Sequence, residues 1–107
     1  MIFITATFQV KAEFADQWAE ITGSFTEATR AEPGNLWFFW SRSLEDPLTF
    51  VLVEAFRDEA AELHVSSEHF RRAQAELPAY LSATPKVVSV QVPQGDWSEL
   101  SEMAVAP

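Results

Sequence analysis

The stretch that decides the fold is Asn35-Leu36-Trp37-Phe38-Phe39-Trp40-Ser41-Arg42-Ser43, where five large apolar side chains follow one another without a break. Side chains of a β-strand alternate between two faces, which places Phe38 and Trp40 on one face and Trp37 and Phe39 on the other. An antiparallel sheet in a monomer usually keeps one face polar, because that face meets water. We therefore predict a strand over residues 35–43, in a sheet that is covered on both faces.

A second strand with the same property follows along the chain. The segment Leu44-Glu45-Asp46-Pro47 has the composition of a turn, and residues 48–57 have that of a strand, so the two strands are predicted to form a hairpin. One face of the second strand carries Phe50, Leu52 and Phe56, and the other carries Val51, Val53 and Ala55. The whole hairpin therefore has two apolar faces.

The segment before the hairpin is predicted to be a strand followed by one long helix. Residues 2–10 alternate imperfectly, as a strand does, and over residues 13–31 apolar side chains recur at steps of three and four. The residues that set these steps are Phe14, Trp18, Ile21, Phe25 and Ala28. Glu32-Pro33-Gly34 ends the helix, because proline cannot continue it and glycine supplies the freedom that a turn needs.

Two short helices and a last strand are predicted after the hairpin. Asp58 and Ser67 are suitable N-caps for helices that reach about residue 64 and about residue 77, and a valine-rich strand covers residues 86–92. The order β-α-β-β-α-β is that of an α+β, ferredoxin-like fold, in which an antiparallel sheet carries both helices on one face.

This architecture leaves one face of the sheet without a cover. We expect one domain over residues 1–93 and an acidic C-terminal tail over residues 94–107. Because an exposed apolar sheet exceeds what soluble monomers tolerate, we expect a homodimer in which two sheets pack face to face as a dimeric α/β barrel. Alternatively, some of the aromatic side chains lie at strand ends or under the tail.

Charge and composition exclude several classes of function. The net charge is -9 and only seven Lys and Arg are present, which argues against nucleic acid and against an anionic membrane as partners. The absence of cysteine removes thiolate chemistry, and three glycines leave no room for a glycine-rich phosphate loop, so we expect no nucleotide cofactor. No basic region precedes the apolar N-terminal residues; no signal or membrane span is predicted, and a cytoplasmic location is favoured.

Several short segments stand in a defined order along the chain. They are Glu32-Pro33-Gly34-Asn35-Leu36, Asp46 to Glu54, Arg57-Asp58-Glu59-Ala60-Ala61, His64 and Ser67-Glu68-His69-Phe70. This order and spacing resemble the antibiotic biosynthesis monooxygenase (ABM) family, from residue 2 to about residue 92. The resemblance implies the ferredoxin-like fold, the dimeric α/β barrel and, because the family includes cofactor-free monooxygenases, oxidation of a phenolic, anthrone-like or quinol substrate.

The same family contains haem-degrading monooxygenases, and their pattern is not followed here. That pattern has an asparagine in the first strand, a tryptophan in the second helical region and a histidine ligand one helix later. These positions fall on Thr7, His64 and Gln74 in this chain. Loss of the ligand argues against haem, and we expect no cofactor.

The two histidines, His64 and His69, lie five residues apart around the break between two helices. Because imidazole exchanges a proton near neutral pH, His64 is a candidate catalytic base and His69 a candidate substrate contact. Alternatively, both are packing residues that satisfy free carbonyl groups at helix ends. Two histidines and scattered carboxylates match no known metal-ligand spacing, so no metal site is predicted.

Glu54 is a carboxylate on a strand face that is otherwise apolar, between Leu52 and Phe56. If it is buried, its pKa is raised, and it is a second candidate catalytic residue. Alternatively, it forms a structural ion pair with Arg42, with Arg57 or with the other protomer.

Aromatic side chains on the helix and the strands are candidates for a substrate pocket, because flat rings stack on aromatic substrates. The candidates are Trp18, Phe25, Phe38, Trp40 and Phe56. Alternatively, these rings are ordinary core.

Together these features predict a cofactor-independent monooxygenase, an oxidoreductase that oxidises a small aromatic, phenolic or quinol-type substrate with dioxygen. In this hypothesis a base removes a proton from the substrate, and the resulting anion gives an electron to dioxygen directly. The alternative is a non-enzymatic module of the same fold that binds a small hydrophobic molecule or acts in a stress response.

Overall fold

Four strands form one antiparallel sheet in a computed structural model that describes residues 1–107. They are β1 (Ile2–Gln9), β2 (Asn35–Arg42), β3 (Thr49–Phe56) and β4 (Lys86–Gln91), in the spatial order β2-β3-β1-β4. The helices are α1 (Trp18–Ile21), α2 (Gly23–Arg30), α3 (Ala60–Val65) and α4 (Glu68–Glu76), with 3₁₀ turns at Ala12–Gln17, Leu77–Tyr80 and Ser101–Met103. The predicted α+β, ferredoxin-like order is confirmed.

The single helix predicted over residues 13–31 is wrong in one respect, because the chain bends at Thr22. A 3₁₀ turn and α1 precede this residue and α2 follows it. Thr22 has ψ near zero, and its buried hydroxyl donates a hydrogen bond of 2.8 Å to the carbonyl of Trp18. A threonine that bonds back to the carbonyl four residues earlier bends a helix, and the Gly23 that follows is a weak helix former.

The strand register gives the sheet a helix face and an open face. Phe38 and Ile4 flank Glu54 on the helix face, where the helices bury most of the apolar side chains. The open face carries Phe3, Trp37, Phe39, Val53, Val88 and Val90. No helix covers it, and Phe39 and Val88 remain 47% and 60% exposed. The predicted pair of apolar faces is thus confirmed.

The helices of this fold are short. The longest, α4, has nine residues, and no helix combines the length and hydrophobicity that a bilayer crossing requires.

Gly34, in the turn between α2 and β2, is where this turn touches α3. A Cβ added to Gly34 would lie 2.1 Å from the Cβ of Ala60, whereas a Cβ added to Gly23 would meet nothing within 4 Å. We expect Gly34→Ala to lower the free energy of unfolding by about 1–3 kcal/mol, because the overpacked turn must move away from α3. Urea denaturation measures this.

Gly23→Ala is the matched control and should be neutral or stabilising, since alanine favours a helix over glycine by up to about 1 kcal/mol. Adding Ala60→Gly to Gly34→Ala should recover part of the loss. Equal stability of Gly34→Ala and Gly23→Ala would contradict the close contact.

Candidate functional site

Four titratable side chains meet between the helix layer and the sheet. Glu32 follows α2, Glu54 lies on β3, His64 belongs to α3 and His69 to the first turn of α4. Two carboxylates and two imidazoles so close together, and mostly buried, can share protons, and groups that do so are common at functional sites. We call these four residues the Glu/His cluster.

Local hydrogen bonds place the members of this cluster. The Arg30 guanidinium donates two hydrogen bonds, of 2.8 and 3.1 Å, to the carbonyl of Phe38, which ties the end of α2 to β2 and fixes the turn that carries Glu32. Ser67 caps α4 by accepting from the Phe70 amide, and its hydroxyl donates to the carbonyl of His64 at 2.6 Å. The tight connection between α3 and α4 turns both histidines towards the same carboxylate.

Glu32 is the centre of the cluster. Its Oε2 lies 2.7 Å from Nδ1 of His64 and 2.5 Å from Nε2 of His69. A carboxylate oxygen only accepts, so each of these ring nitrogens carries a hydrogen and donates it. One carboxylate therefore sets the tautomer of both rings. Glu32 was not among the site residues predicted from the sequence, although it belongs to the Glu32-Pro33-Gly34 segment of the family resemblance.

Glu54 lies behind His64 and away from solvent. Its Oε1 has no hydrogen-bond partner and is 3.9 Å from Nε2 of His64, and the residue is only 7% exposed. Burial, and next the negative charge of Glu32, raise the pKa of Glu54 to about 7. Burial also lowers the pKa of His64, against the opposing hydrogen bond from Glu32. The consistent arrangement is a neutral His64, with its Nε2 lone pair turned towards a Glu54 that carries a proton near neutral pH.

The alternative of an ion pair between Glu54 and Arg42 or Arg57 is wrong, whereas a pair with the other protomer stays a prediction. Arg42 pairs with Asp16 at 2.8 Å and donates to the carbonyl of Pro47, and no ion pair joins Glu54 to Arg57. Arg42 points away because it lies at the far end of β2, opposite Phe50.

Two histidines and a carboxylate are also a donor set that holds zinc or iron, so the spacing of the three atoms matters. Ligand atoms around a tetrahedral zinc ion at about 2.0–2.1 Å are separated by about 3.3 Å. Glu32 Oε2 is 2.5 and 2.7 Å from the two nitrogens, which is hydrogen-bond spacing. At these distances Glu32 is hydrogen-bonded to both imidazoles.

Aromatic rings surround the cluster on the sheet side. Phe56 stacks on His64, with ring centroids 4.8 Å apart, and Phe25 contacts both histidines at 5.8 and 6.0 Å. Phe38 packs edge-on against Phe25. Of the predicted site residues, the fold thus brings Phe25, Phe38, Phe56, His69, His64 and Glu54 together.

Trp18 and Trp40 form a neighbouring aromatic group further along the sheet. Their rings meet edge-to-face at 5.6 Å, and both pack against Phe8. The indole of Trp40 donates to the hydroxyl of Thr26 at 3.0 Å. These rings fill the space between helices and sheet by contact with one another.

Two clefts lie away from the cluster. A cleft of about 310 Å³ lies between the open face and the C-terminal tail, and another of about 330 Å³ is formed by residues 78–85. The cluster itself reaches solvent at the side chains of His69 and Glu32, which are 24% and 15% exposed. Of the two, His69 is the more exposed.

Comparison with known proteins identifies the family of the fold. The profile of the family described as "Antibiotic biosynthesis monooxygenase" matches residues 1–76. "Putative monooxygenase YcnE" of Bacillus subtilis (strain 168) is 31% identical over 93 residues, which are 86% of this chain and 98% of that protein. The crystal structure of an antibiotic biosynthesis monooxygenase superposes with a TM-score of 0.77 at 28% identity and covers 88% of this chain and 100% of its own.

A second solved structure, named "Putative antibiotic biosynthesis monooxygenase" and from Nitrosomonas europaea, superposes with a TM-score of 0.78 at 25% identity. It covers 88% of this chain and 100% of its own. The fold, the family profile and these matches lead to one conclusion: the chain belongs to the antibiotic biosynthesis monooxygenase family.

Proposed function

We propose that this chain is a cofactor-independent monooxygenase that oxidises a small aromatic, phenolic or quinol-type substrate with dioxygen. Membership of the family and the name of the Bacillus relative support a monooxygenase function. The observation that carries the proposal is the Glu/His cluster, in which a carboxylate orients a partly exposed imidazole among aromatic rings.

His69 is the member placed to take a proton from a substrate. Its Nε2 donates to Glu32, and its Nδ1 has no hydrogen bond within the protein, so the Nδ1 lone pair is free to accept. A carboxylate that fixes the tautomer of a catalytic imidazole is the arrangement found in the Ser-His-Asp triad, where it serves a general base. Among the predicted candidates, the geometry favours His69 as the base that touches substrate.

The predicted catalytic residues His64 and Glu54 have a supporting role in this proposal. Both ring nitrogens of His64 face carboxylates, which leaves neither one for a substrate. His64 holds Glu32 in position, and Glu54 supplies a buried proton behind it. A protonated Glu54 leaves Glu32 as the single negative charge next to the two imidazoles.

The reaction balances without a reductant. For an activated methylene, His69 removes one proton, and the carbanion transfers an electron to dioxygen; the two radicals combine to a peroxide. Loss of the second C–H proton and cleavage of the O–O bond then give a carbonyl and water, so R₂CH₂ and O₂ become R₂CO and H₂O. The protein contributes orientation, an apolar surrounding and the proton acceptor.

The test is aerobic turnover of a panel of anthrones and quinols by protein dialysed against EDTA. We expect one dioxygen consumed for each product formed, and no change of rate when flavin, haemin or divalent metal is added. Loss of activity after dialysis, with recovery on addition of one metal, would overturn the cofactor-independent mechanism.

A second candidate function is non-enzymatic binding of a small hydrophobic molecule, and one observation favours it. The predicted pocket rings Trp18 and Phe38 each pack against Trp40, and a cleft lies elsewhere, between Trp37 and Trp97. In that case the panel compounds would quench tryptophan fluorescence, with no dioxygen uptake above the uncatalysed rate.

We further propose that the functional unit is a homodimer, with a second copy covering the open face. Phe39 lies on this face on the edge strand β2, opposite Val53, and it is nearly half exposed. A closed two-fold pairing of sheets is the simplest way to remove such a surface from water.

We expect Phe39→Asp to dissociate the dimer, because an unpaired carboxylate would have to be buried between two apolar sheets. Sedimentation equilibrium should give about twice the chain mass of 12.0 kDa for the parent protein and 12.0 kDa for the variant. Leu63→Asp, on an exposed apolar residue of the helix layer, is the control and should stay dimeric. A parent protein of 12.0 kDa at micromolar concentration would refute the dimer.

A further inference from the structure

The C-terminal tail, residues 94–107, extends beyond the part of the chain that the relatives share. We call it the arm. The Bacillus relative and the two solved structures are covered at 98–100% of their own length, yet they match only 86–88% of this chain. The family profile begins at residue 1, so most of the unmatched length falls at the C-terminus. The arm is therefore a feature of this chain, not of the shared domain.

The arm combines exposed apolar side chains with acidic ones. The apolar residues, which are 62–92% exposed, are Trp97, Leu100, Met103 and Val105. Asp96, Glu99 and Glu102 alternate with them. One exposed apolar side chain is ordinary, but four within nine residues form an exposed apolar patch of the kind found at interaction sites.

The path of the arm starts on the open face. The ring of Trp97 lies 5.2 Å from that of Trp37, and this contact helps bury Trp37 on an otherwise uncovered sheet. Beyond Trp97 the arm leaves the domain. The radius of gyration is 15.2 Å, whereas a compact chain of this length has roughly 13 Å.

The arm also borders the surface that a second copy would cover. Trp97 lines a cleft of about 310 Å³ together with Phe3 and Trp37 of the open face. A copy seated on that face therefore meets the arm at its edge, and the exposed apolar side chains beyond Trp97 would extend the same contact.

We infer that the occupant of this surface is a second copy of the chain: Trp97 anchors each arm on its own open face, and residues 100–105 pack against the partner subunit. The inference rests on the proposed homodimer and adds an exchanged arm to it. Nucleic acid is not the occupant on this account, because the acidic side chains of the arm would repel phosphate.

Photo-crosslinking tests where the arm packs. A benzophenone amino acid replaces Met103 in the full-length chain, and unlabelled and ¹⁵N-labelled copies are mixed before irradiation. We expect a covalent product of twice the chain mass whose crosslinked peptides combine the two isotopes. The same probe at Leu63, in the helix layer, should give no such product. Crosslinks confined within single chains would overturn the inference.

A triple substitution measures how much the arm contributes. We expect Leu100→Ser, Met103→Ser and Val105→Ser together to raise the dimer dissociation constant at least tenfold by sedimentation, whereas Leu44→Ser with Leu63→Ser should not change it. If the parent is a dimer and the triple variant is equally tight, the arm has no role and the homodimer stands. If the parent is a monomer at all concentrations, the homodimer fails together with the arm.

Discussion

His69→Gln should lower kcat on the most rapidly oxidised panel substrate by about 1000-fold, within the range of about 10²–10⁴ for loss of a general base. Glutamine keeps a donor that can reach Glu32, but its amide has no basic lone pair to accept the substrate proton at neutral pH. The KM should change little, because the aromatic surround remains. Steady-state dioxygen uptake over a range of substrate concentrations separates the two constants.

Glu68→Gln is the matched control for this variant. Glu68 lies next to His69 on α4 and is exposed, with only an ion pair to Arg72. It should retain parental activity. If His69→Gln and Glu68→Gln turn over at the same rate, His69 is not the base.

Glu32→Gln should also lower kcat, by an amount up to that of His69→Gln, because changing the carboxylate that orients a triad imidazole to an amide costs about 10⁴-fold. Its diagnostic is the split between the two kinetic constants. Because Glu32 orients the imidazole through its hydrogen bond with Nε2 of His69, kcat should fall while KM stays near the parental value. An unchanged kcat would remove Glu32 from the proton chemistry.

Glu54→Gln should stabilise the protein at alkaline pH and leave it nearly unchanged at acid pH. The pKa of Glu54 is raised from 4.5 to about 7 on folding. Below pH 4.5 the Glu54 carboxyl is protonated in both the folded and the unfolded state, and its contribution to stability is then fully present. As the pH rises towards 7, this contribution is lost, because the carboxyl ionises readily in the unfolded chain but unfavourably in the buried site. The shift corresponds to about 3 kcal/mol.

The measurement for Glu54 is the difference in unfolding free energy between parent and variant, by urea denaturation at intervals from pH 4.5 to 8.5. We expect this difference to grow by about 3 kcal/mol across that range. The difference between the two proteins is used because His64 also makes the unfolding free energy depend on pH. The pKa of His64 is lowered on folding, so its contribution to stability is lost as the pH falls below 6.5, and this contribution is common to parent and variant. Glu45→Gln, on an exposed turn, is the control. A constant difference would show that Glu54 is not buried.

The hairpin and the order of strands and helices along the chain could be predicted from the sequence, because strand periodicity and turn residues are local signals. Alternation along β2 and β3 placed Phe38, Trp40 and Glu54 on one face, and the structure has them there. The bend at Thr22 was missed for a physical reason: the apolar stripe of a helix continues across a small bend, and a single hydroxyl bonding back to Trp18 leaves no trace in the periodicity.

The candidate site was predicted only in part. His64, His69 and Glu54 stood out because of their chemistry, but Glu32 lies in a turn that proline and glycine already explained. Only the long-range approach of this turn to α3 and α4 brings its carboxylate to both imidazoles. The two contacts span 32 and 37 positions of the chain, and local spacing in the sequence does not predict contacts over such separations. Likewise, the strand pattern placed the aromatic rings without showing that they pack on one another.

The most direct test of the central claim is the fate of oxygen atoms in a turnover under ¹⁸O₂, with EDTA-dialysed protein in unlabelled water. Cofactor-independent monooxygenation predicts one ¹⁸O atom in each product molecule and the other in water, at parental rate, and no labelled product from His69→Gln on the same timescale. Product oxygen that comes from water, or labelled product formed equally fast by His69→Gln, would contradict the account.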